Sequence, residues 1–550
     1  MTTRSRRAGA AAVCLLLAVV HTWPLARHPA KYSRNDNGDA QLNEWILAWV
    51  EHELPRNPAR LFDANIFYPA HDVLAFSEPL IVPAIMGAPI AWLGGSPVLV
   101  FNLLLIAGFA LTAFATYWVV DAWTGDGLAG LLAGSVFAFN THTLTRLPHV
   151  QAVHIYGLPL ALLAIDRLLR ARRLNHALWL VVWIVVLAYT SGYLFVFACV
   201  MTPIAVAARL PEWRRHAAVV LSRFSVAAAA SAMAILPLAI PYIRVAREQH
   251  MVRTLDAVAE FSARPRGYLV AFGRIHFALW SHVFGSDPVD AFFPGFVVLA
   301  FAVWAAIAAF RSGDERRVLR ARTVMLLAIA GAGFVLSLGP ATPLYGWLFA
   351  VFPPLRGLRA AARFGNLFLL GVALLGGLGM AWWRARARTN RDVVRWAVVA
   401  LVILANLESL RAPFDYREFT GIPELYQQLA TAKGPVVVAE QPFYPPQAVF
   451  ENAPYVLNST AYWRPLMNGY SGYTPDSYVQ YAAAFWYFPE PRAIEAMEDA
   501  GVTHVVVHPH RFLGDADKVM QQVEACPDLE LLAIGGDDVR LYRLKRPANR

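Results

Sequence analysis

The sequence predicts a polytopic α-helical membrane protein of about eleven spans with a C-terminal extracytoplasmic α/β domain. Three observations carry this. The 550 residues are 57% hydrophobic and only 16% charged, where a soluble domain carries about 25% charged residues. Apolar runs close to the roughly 17–25 residues that cross a bilayer recur up to about residue 410. Residues 411–550 are more polar and alternate strand-like and helix-like patterns.

The predicted spans are approximately 8–25, 98–120, 127–140, 152–168, 176–190, 192–208, 222–242, 291–310, 321–338, 363–382 and 393–410. The first follows Arg4, Arg6 and Arg7 and is expected to be a retained span, because no convincing signal-peptidase site precedes Trp23-Pro24. The net charge is +10, which in a soluble protein would suggest nucleic acid. Here the arginines cluster between apolar segments: Arg167/Arg170/Arg172/Arg173, Arg214/Arg215, Arg311/Arg316/Arg317/Arg320 and Arg384/Arg386/Arg388/Arg391. With the N-terminus cytoplasmic, all of these fall inside, as the positive-inside tendency requires. The polar regions 27–97, 243–290 and 411–550 then share the outer side. The domain reading is a bundle over 1–410, with outer loops 27–97 and 243–290, and an α/β domain over 411–550. Cys14, Cys199 and Cys526 form no disulfide or metal pattern.

The first outer loop opens with Asn35-Asp36-Asn37-Gly38-Asp39. Carboxylates at a membrane face suggest chemistry on something the membrane carries. Leu42, Trp45, Ile46 and Trp49 then share one helical face, which predicts a helix lying on the bilayer surface. Asp39 has two readings, a cap of that helix or a general base beside apolar surface. Asp63 and Asn65 suit turns. Glu78 enters an apolar helix, as a second acid or as a charge favoured by the helix dipole.

Other groups fall on the same side. His142, Arg146, His149 and His154 sit in or beside one short connection; no spacing among them identifies a metal site. Loop 243–290 carries Arg244, Arg247, Arg253, Arg264, Arg266 and Arg274 against the topology rule, and Arg356, Arg359 and Arg363 follow Phe352-Pro353-Pro354. Such cations suit a carrier phosphate, or else lipid headgroups and partner carboxylates. The candidate phosphate or substrate contacts are Arg359, Arg363, Arg356, His149, Arg146 and Arg247. Charges inside spans are few, which weighs against an ion-coupled transporter. No Gly-rich phosphate loop is present, which weighs against a nucleotide-bound donor.

In the C-terminal part, 434–440 and 502–508 suit strands, Pro491–Ala500 and 515–526 suit helices, and 529–536 with 538–545 suit a closing hairpin. Tyr462, Trp463, Asn468, Gly469, Tyr470, Ser471, Gly472, Tyr473, Phe485 and Trp486 enrich the intervening segment. They suit sugar recognition, or a layer packing the domain onto the bundle.

The acidic cluster after the first span, followed by a surface helix, resembles the GT-C superfamily of membrane glycosyltransferases. The resemblance implies sugar transfer from a polyprenyl-phosphate donor, inverting, with Asp39 or Asp36 as catalytic base. The usual adjacent acidic pair is split here by Asn37-Gly38, which leaves the choice between the aspartates open. The C-terminal arrangement with Asn468-Gly469-Tyr470-Ser471-Gly472-Tyr473 resembles YfhO-type proteins, which implies an acceptor in the cell envelope: glycan, lipid or protein. The pattern specifies no cofactor, and a divalent cation is compatible with it. The alternatives are a non-catalytic lipid-carrier flippase and an envelope-assembly scaffold.

Overall fold

A computed structural model describes residues 3–34, 37–251, 253–311 and 317–545. The main helices are α1 (Thr3–His21), α2 (Gly38–Glu53), α3 (Ile81–Trp92), α4 (Pro97–Thr124), α5 (Gly127–Ala138), α6 (Gly157–Ala171), α7 (Leu174–Thr190), α8 (Gly192–Ala208), α9 (Ala217–Glu248), α10 (Phe296–Phe310), α11 (Arg317–Ser337), α12 (Pro343–Val351), α13 (Gly365–Arg384) and α14 (Arg391–Ser409), then α15 (Ala453–Asn458), α16 (Asp476–Phe485), α17 (Pro491–Asp499) and α18 (Ala516–Ala525). The strands are β1 (Tyr32–Ser33), β2 (Arg417–Glu418), β3 (Val438–Gln441), β4 (His504–Val507), β5 (Leu529–Ile534) and β6 (Arg540–Leu544).

Each predicted span falls on a helix. Among the described residues, five helical stretches are long and apolar enough to cross a membrane: Pro97–Thr124, Val150–Ala171, Leu210–Glu248, Arg317–Ser337 and Ala361–Arg384. Five more apolar helices are shorter, among them Gly127–Ala138 and Leu174–Thr190. Local chemistry sets the ends. Asp126 caps α5 by accepting from Leu128 and Ala129 N–H, both at 3.1 Å. Asn390 caps α14 through Asp392 N–H at 2.8 Å. Ser191 alone separates α7 from α8 and accepts from Tyr193 N–H at 3.1 Å.

The chain divides into two compact units. The first holds residues 1–29, 102–238 and 252–416. At its centre α13 packs on α5, α10 and α11. Small residues let the backbones close in: a Cβ at Gly379 would lie 1.9 Å from the Phe301 carbonyl oxygen, the close-packing device of membrane helices. Away from this centre, Asp166 of α6 is buried between Arg209, at the end of α8, and Arg322 of α11.

The second unit holds residues 30–101, 239–251 and 417–550. Its main sheet has the order β3-β4-β6-β5. β3 and β4 are parallel, in register from Val438↔His504 to Gln441↔Val507. β6 is antiparallel to both β4 and β5. The predicted strands, helices and hairpin are all found within a few residues of their expected positions. Val505, Val506 and Val507 are fully buried, as a continuous apolar run in a central strand requires. β1 and β2 form a separate antiparallel pair.

The expected surface helix forms as α2, but it does not present a polar face to water. Residues 40–51 are buried without exception, Asn43 and Glu44 included. The helix packs on α3 and α15, so protein covers the side that the apolar spacing alone left open.

Candidate functional site

Asp39 is the second residue of α2, and the cap is its neighbour. The Asn37 side chain accepts the Asp39 N–H at 2.9 Å, which leaves the Asp39 carboxylate out of the capping role expected of it. Instead, the Tyr470 hydroxyl donates to Asp39 Oδ1 at 2.6 Å. Asp39 is half-buried. Asp36, the alternative base, lies outside the described residues.

Tyr470 is held by a backbone weave. Residues 465–468 lie between β3 and residues 65–68 of the loop that follows α1. Met467 N–H donates to Val438 O at 2.8 Å, and Val438 N–H to Pro465 O at 2.9 Å. Leu466 N–H donates to Asn65 O at 2.7 Å, and Phe67 N–H to Asn468 O at 3.1 Å. The buried Asn468 side chain accepts from Glu440 N–H at 2.7 Å and donates to Glu440 O at 3.0 Å. Asn452 donates to Gly469 O at 3.1 Å. A Cβ at Gly469 would lie 2.5 Å from the Phe67 ring, so the residue before Tyr470 has to be glycine for this approach. The aromatic-rich segment thus serves largely as packing: Tyr462 and Phe485 are buried, and Tyr473 meets the Phe76 ring edge-on at 5.6 Å.

Two further carboxylates on α2 escaped the sequence reading. Glu44 is fully buried; Ser33 Oγ donates to its Oε1 at 3.0 Å, and its Oε2 has no hydrogen-bond partner. Burial pushes Glu44 up to about 8, against the smaller opposing pull of the Ser33 hydrogen bond. Burial likewise pushes Glu51 up to about 8. Glu78 is half-buried and stands two residues before Leu80, the cap of α3, rather than inside the first turn. Beside it, the Tyr242 hydroxyl donates to Ser77 O at 2.7 Å. Arg247 is exposed in the last turn of α9, a position that favours a cation. Arg244 pairs with Asp72 at 2.7 Å.

The first unit has its own polar cleft. His142, Arg146, Gln151, Tyr193, Arg363 and Asn366 are among its lining residues. Arg363 lies over the Tyr193 ring at 4.3 Å. The Tyr193 hydroxyl in turn accepts from Arg359 N–H at 3.0 Å and Ala360 N–H at 2.9 Å, which fixes the loop that carries Arg363. His142 Nδ1, Gln151 Oε1 and Asn366 Oδ1 are buried without hydrogen-bond partners. Burial, then the charges of Arg146 and Arg363, hold the His142 imidazole well below its ordinary range, so it is neutral. At about 20 Å³ the cleft has room for roughly one water, so a phosphate would reach its two guanidinium groups only after the lining side chains move apart.

The remaining candidates go elsewhere. Arg356 closes the end of α12 by donating to Phe349 O at 3.1 Å and Ala350 O at 2.6 Å. Arg359 is exposed and stacks on Phe261 at 4.4 Å. His149 precedes the turn Val150–Ala152 and is not among the residues lining the cleft. His154 is buried against the Leu104 carbonyl at 2.9 Å, a packing role. Among the described residues, no group of three or more His, Cys, Asp or Glu side chains is arranged to hold a metal ion.

No protein-family model and no curated protein sequence matches the chain. Solved structures do. The arabinofuranosyltransferase AftD from mycobacteria superposes with a TM-score of 0.64 at 15% identity, over 99% of this chain and 40% of that one. The oligosaccharyltransferase of Archaeoglobus fulgidus superposes with a TM-score of 0.53 at 14% identity, over 92% of this chain and 70% of that one. The chain therefore spans less than half the length of AftD. At these identities the likeness concerns the fold alone: the chain shares the fold of these two structures.

Proposed function

We propose that the chain is a membrane glycosyltransferase that moves a sugar from a polyprenyl-phosphate donor to a cell-envelope acceptor, with inversion. In this reading it is a multi-pass protein of the inner membrane with about eleven spans. Its N-terminus is cytoplasmic and its C-terminal domain lies outside. Two compared structures are named for sugar transfer, one an arabinofuranosyltransferase and the other an oligosaccharyltransferase.

The observation that carries the reading is the Asp39 carboxylate, set at the head of α2, released from capping by Asn37 and oriented by Tyr470. As general base it takes the proton of the acceptor hydroxyl while that oxygen attacks the anomeric carbon. The bond from that carbon to the phosphate oxygen breaks, and the carrier phosphate leaves with the electron pair. A carrier phosphate is a good leaving group, so proton removal and charge stabilisation suffice. In the first unit, Arg146 and Arg363 are the candidates for contact with a carrier phosphate.

The test is transfer of radiolabelled pentose and hexose from polyprenyl phosphate to an envelope extract, by protein in lipid nanodiscs. Asp39→Asn is expected to lower turnover by about 10²–10⁴-fold, the usual worth of a general base, with the melting temperature unchanged. Full activity in that variant would remove Asp39 from the mechanism.

A further inference from the structure

The second unit carries a cavity of about 1020 Å³ that the transfer reading does not use. Its size is at the upper end of the roughly 300–1,000 Å³ range of small-molecule sites. It adjoins the carboxyl ends of the parallel pair β3 and β4: His508, which lines it, directly follows β4, and its N–H donates to Gln441 O, the last residue of β3, at 2.9 Å. Ligands of α/β sheets bind at that end of parallel strands.

Behind the lining residues His508 and Asn458 lies a buried polar group centred on Glu440. His508 Nε2 donates to Glu440 Oε2 at 2.5 Å, and the Tyr426 hydroxyl donates to the same oxygen at 2.8 Å. Asn458 Nδ2 donates to the Tyr426 hydroxyl at 3.2 Å. Glu440 is 0% exposed, and its Oε1 is buried with no hydrogen-bond partner. A buried carboxylate oxygen without a partner needs an explanation, and a bound polar ligand is one. The Glu440 contact engages Nε2 and so fixes the His508 ring. Tyr455 stacks on that ring at 4.7 Å and locks its plane.

The wall chemistry narrows the ligand. Glu424, Gln428, Asn458, His510 and Asp537 supply donors and acceptors together, and Ile422, Pro454 and Val539 supply apolar surface. The one guanidinium of the wall, Arg511, lies over Tyr455 at 4.9 Å and donates to Glu451 O at 3.2 Å. Glu424 and Asp537 balance its charge. A wall of mixed donors and acceptors with apolar patches and no excess positive charge matches a neutral polyhydroxyl ring.

We propose that this cavity binds a neutral saccharide, anchored by His508 and oriented through Glu440. The binding needs no donor lipid and is separate from the transfer reaction.

The experiment is ligand-observed NMR and calorimetric titration of the full chain in nanodiscs, with neutral hexose and pentose disaccharides as probes and inorganic phosphate as the anionic probe. At least one neutral saccharide is expected to bind, with affinity falling about tenfold in His508→Ala, the worth of one good hydrogen bond. Gly536→Trp serves where the histidine variant unfolds: Gly536 lines the cavity and a Cβ there meets nothing within 4 Å, so the added ring is accommodated at the wall without displacing packed side chains. It too is expected to weaken binding. Absence of saccharide binding, binding undiminished in Gly536→Trp, or binding of phosphate alone would each overturn the proposal.

Discussion

Glu44 offers the most quantitative check on the environment of α2. Its carboxyl is fully buried and is raised from 4.5 to about 8. Between those values the folded chain keeps the proton and the unfolded chain releases it. Stability conferred by this group is therefore complete below pH 4.5 and is lost as pH rises, levelling off above about 8. The slope is about 1.4 kcal/mol per pH unit. From pH 4.5 to neutrality the accumulated loss is roughly 3 kcal/mol. Glu44→Gln keeps the shape and removes the titration. The stability difference between variant and wild type should thus move by roughly 3 kcal/mol in favour of glutamine over that range. Thermal melting in nanodiscs across the pH range reads this directly, and the carboxylic-acid infrared band of wild type at neutral pH, absent in the variant, reads the same proton. An identical pH slope in both proteins, with no difference band, would show that Glu44 is ionised and that α2 is not enclosed as described.

Glu51 is raised in the same direction, so Glu44→Gln/Glu51→Gln should have a flatter pH profile than either single variant in the same melts. Tyr470→Phe removes a charge-assisted hydrogen bond worth about 1.5–3 kcal/mol and should cut turnover at least tenfold with donor affinity retained, measured by steady-state transfer. Gly469→Ala forces a methyl against Phe67; a loss of about 1–3 kcal/mol in stability together with reduced transfer is expected, and an unchanged melting temperature would contradict the close approach. Arg363→Gln should raise the donor KM about 10–100-fold, and Arg363→Lys should rescue it only in part, because lysine lacks the planar fork.

What the sequence makes legible is what repeats locally. Apolar runs mark the helices, short apolar β-branched runs between turn residues mark the strands of the main sheet, and the position of Asp39 after the first span marks it as a candidate. The rest depends on partners remote in the chain. Nothing near Asp39 announces Tyr470, and the choice of cap turned on Asn37, one of three polar residues in the cluster before it. The three arginines after Phe352 look equivalent in sequence, yet backbone carbonyls take Arg356, an aromatic ring takes Arg359, and only Arg363 joins Arg146 in a cleft. Glu44 reads as the polar side of an amphipathic helix because the cover supplied by α15 comes from the far end of the sequence. The pairing of Glu440 with His508 was equally silent, since an isolated glutamate in one strand and a histidine after another carry no shared spacing.

The weave of residues 465–468 against 65–68 has a consequence for biogenesis. The hydroxyl that orients Asp39 belongs to a residue 431 positions later. At ribosomal rates of about 5–20 residues per second, roughly 20–90 s separate the emergence of the two. Through that interval residues 65–68 wait without their backbone partner, and no nascent or truncated chain ending before Tyr470 can give this carboxylate its hydrogen bond. Translation itself therefore acts as a timer: every apolar segment up to residue 410 has emerged before Asp39 receives its hydrogen bond.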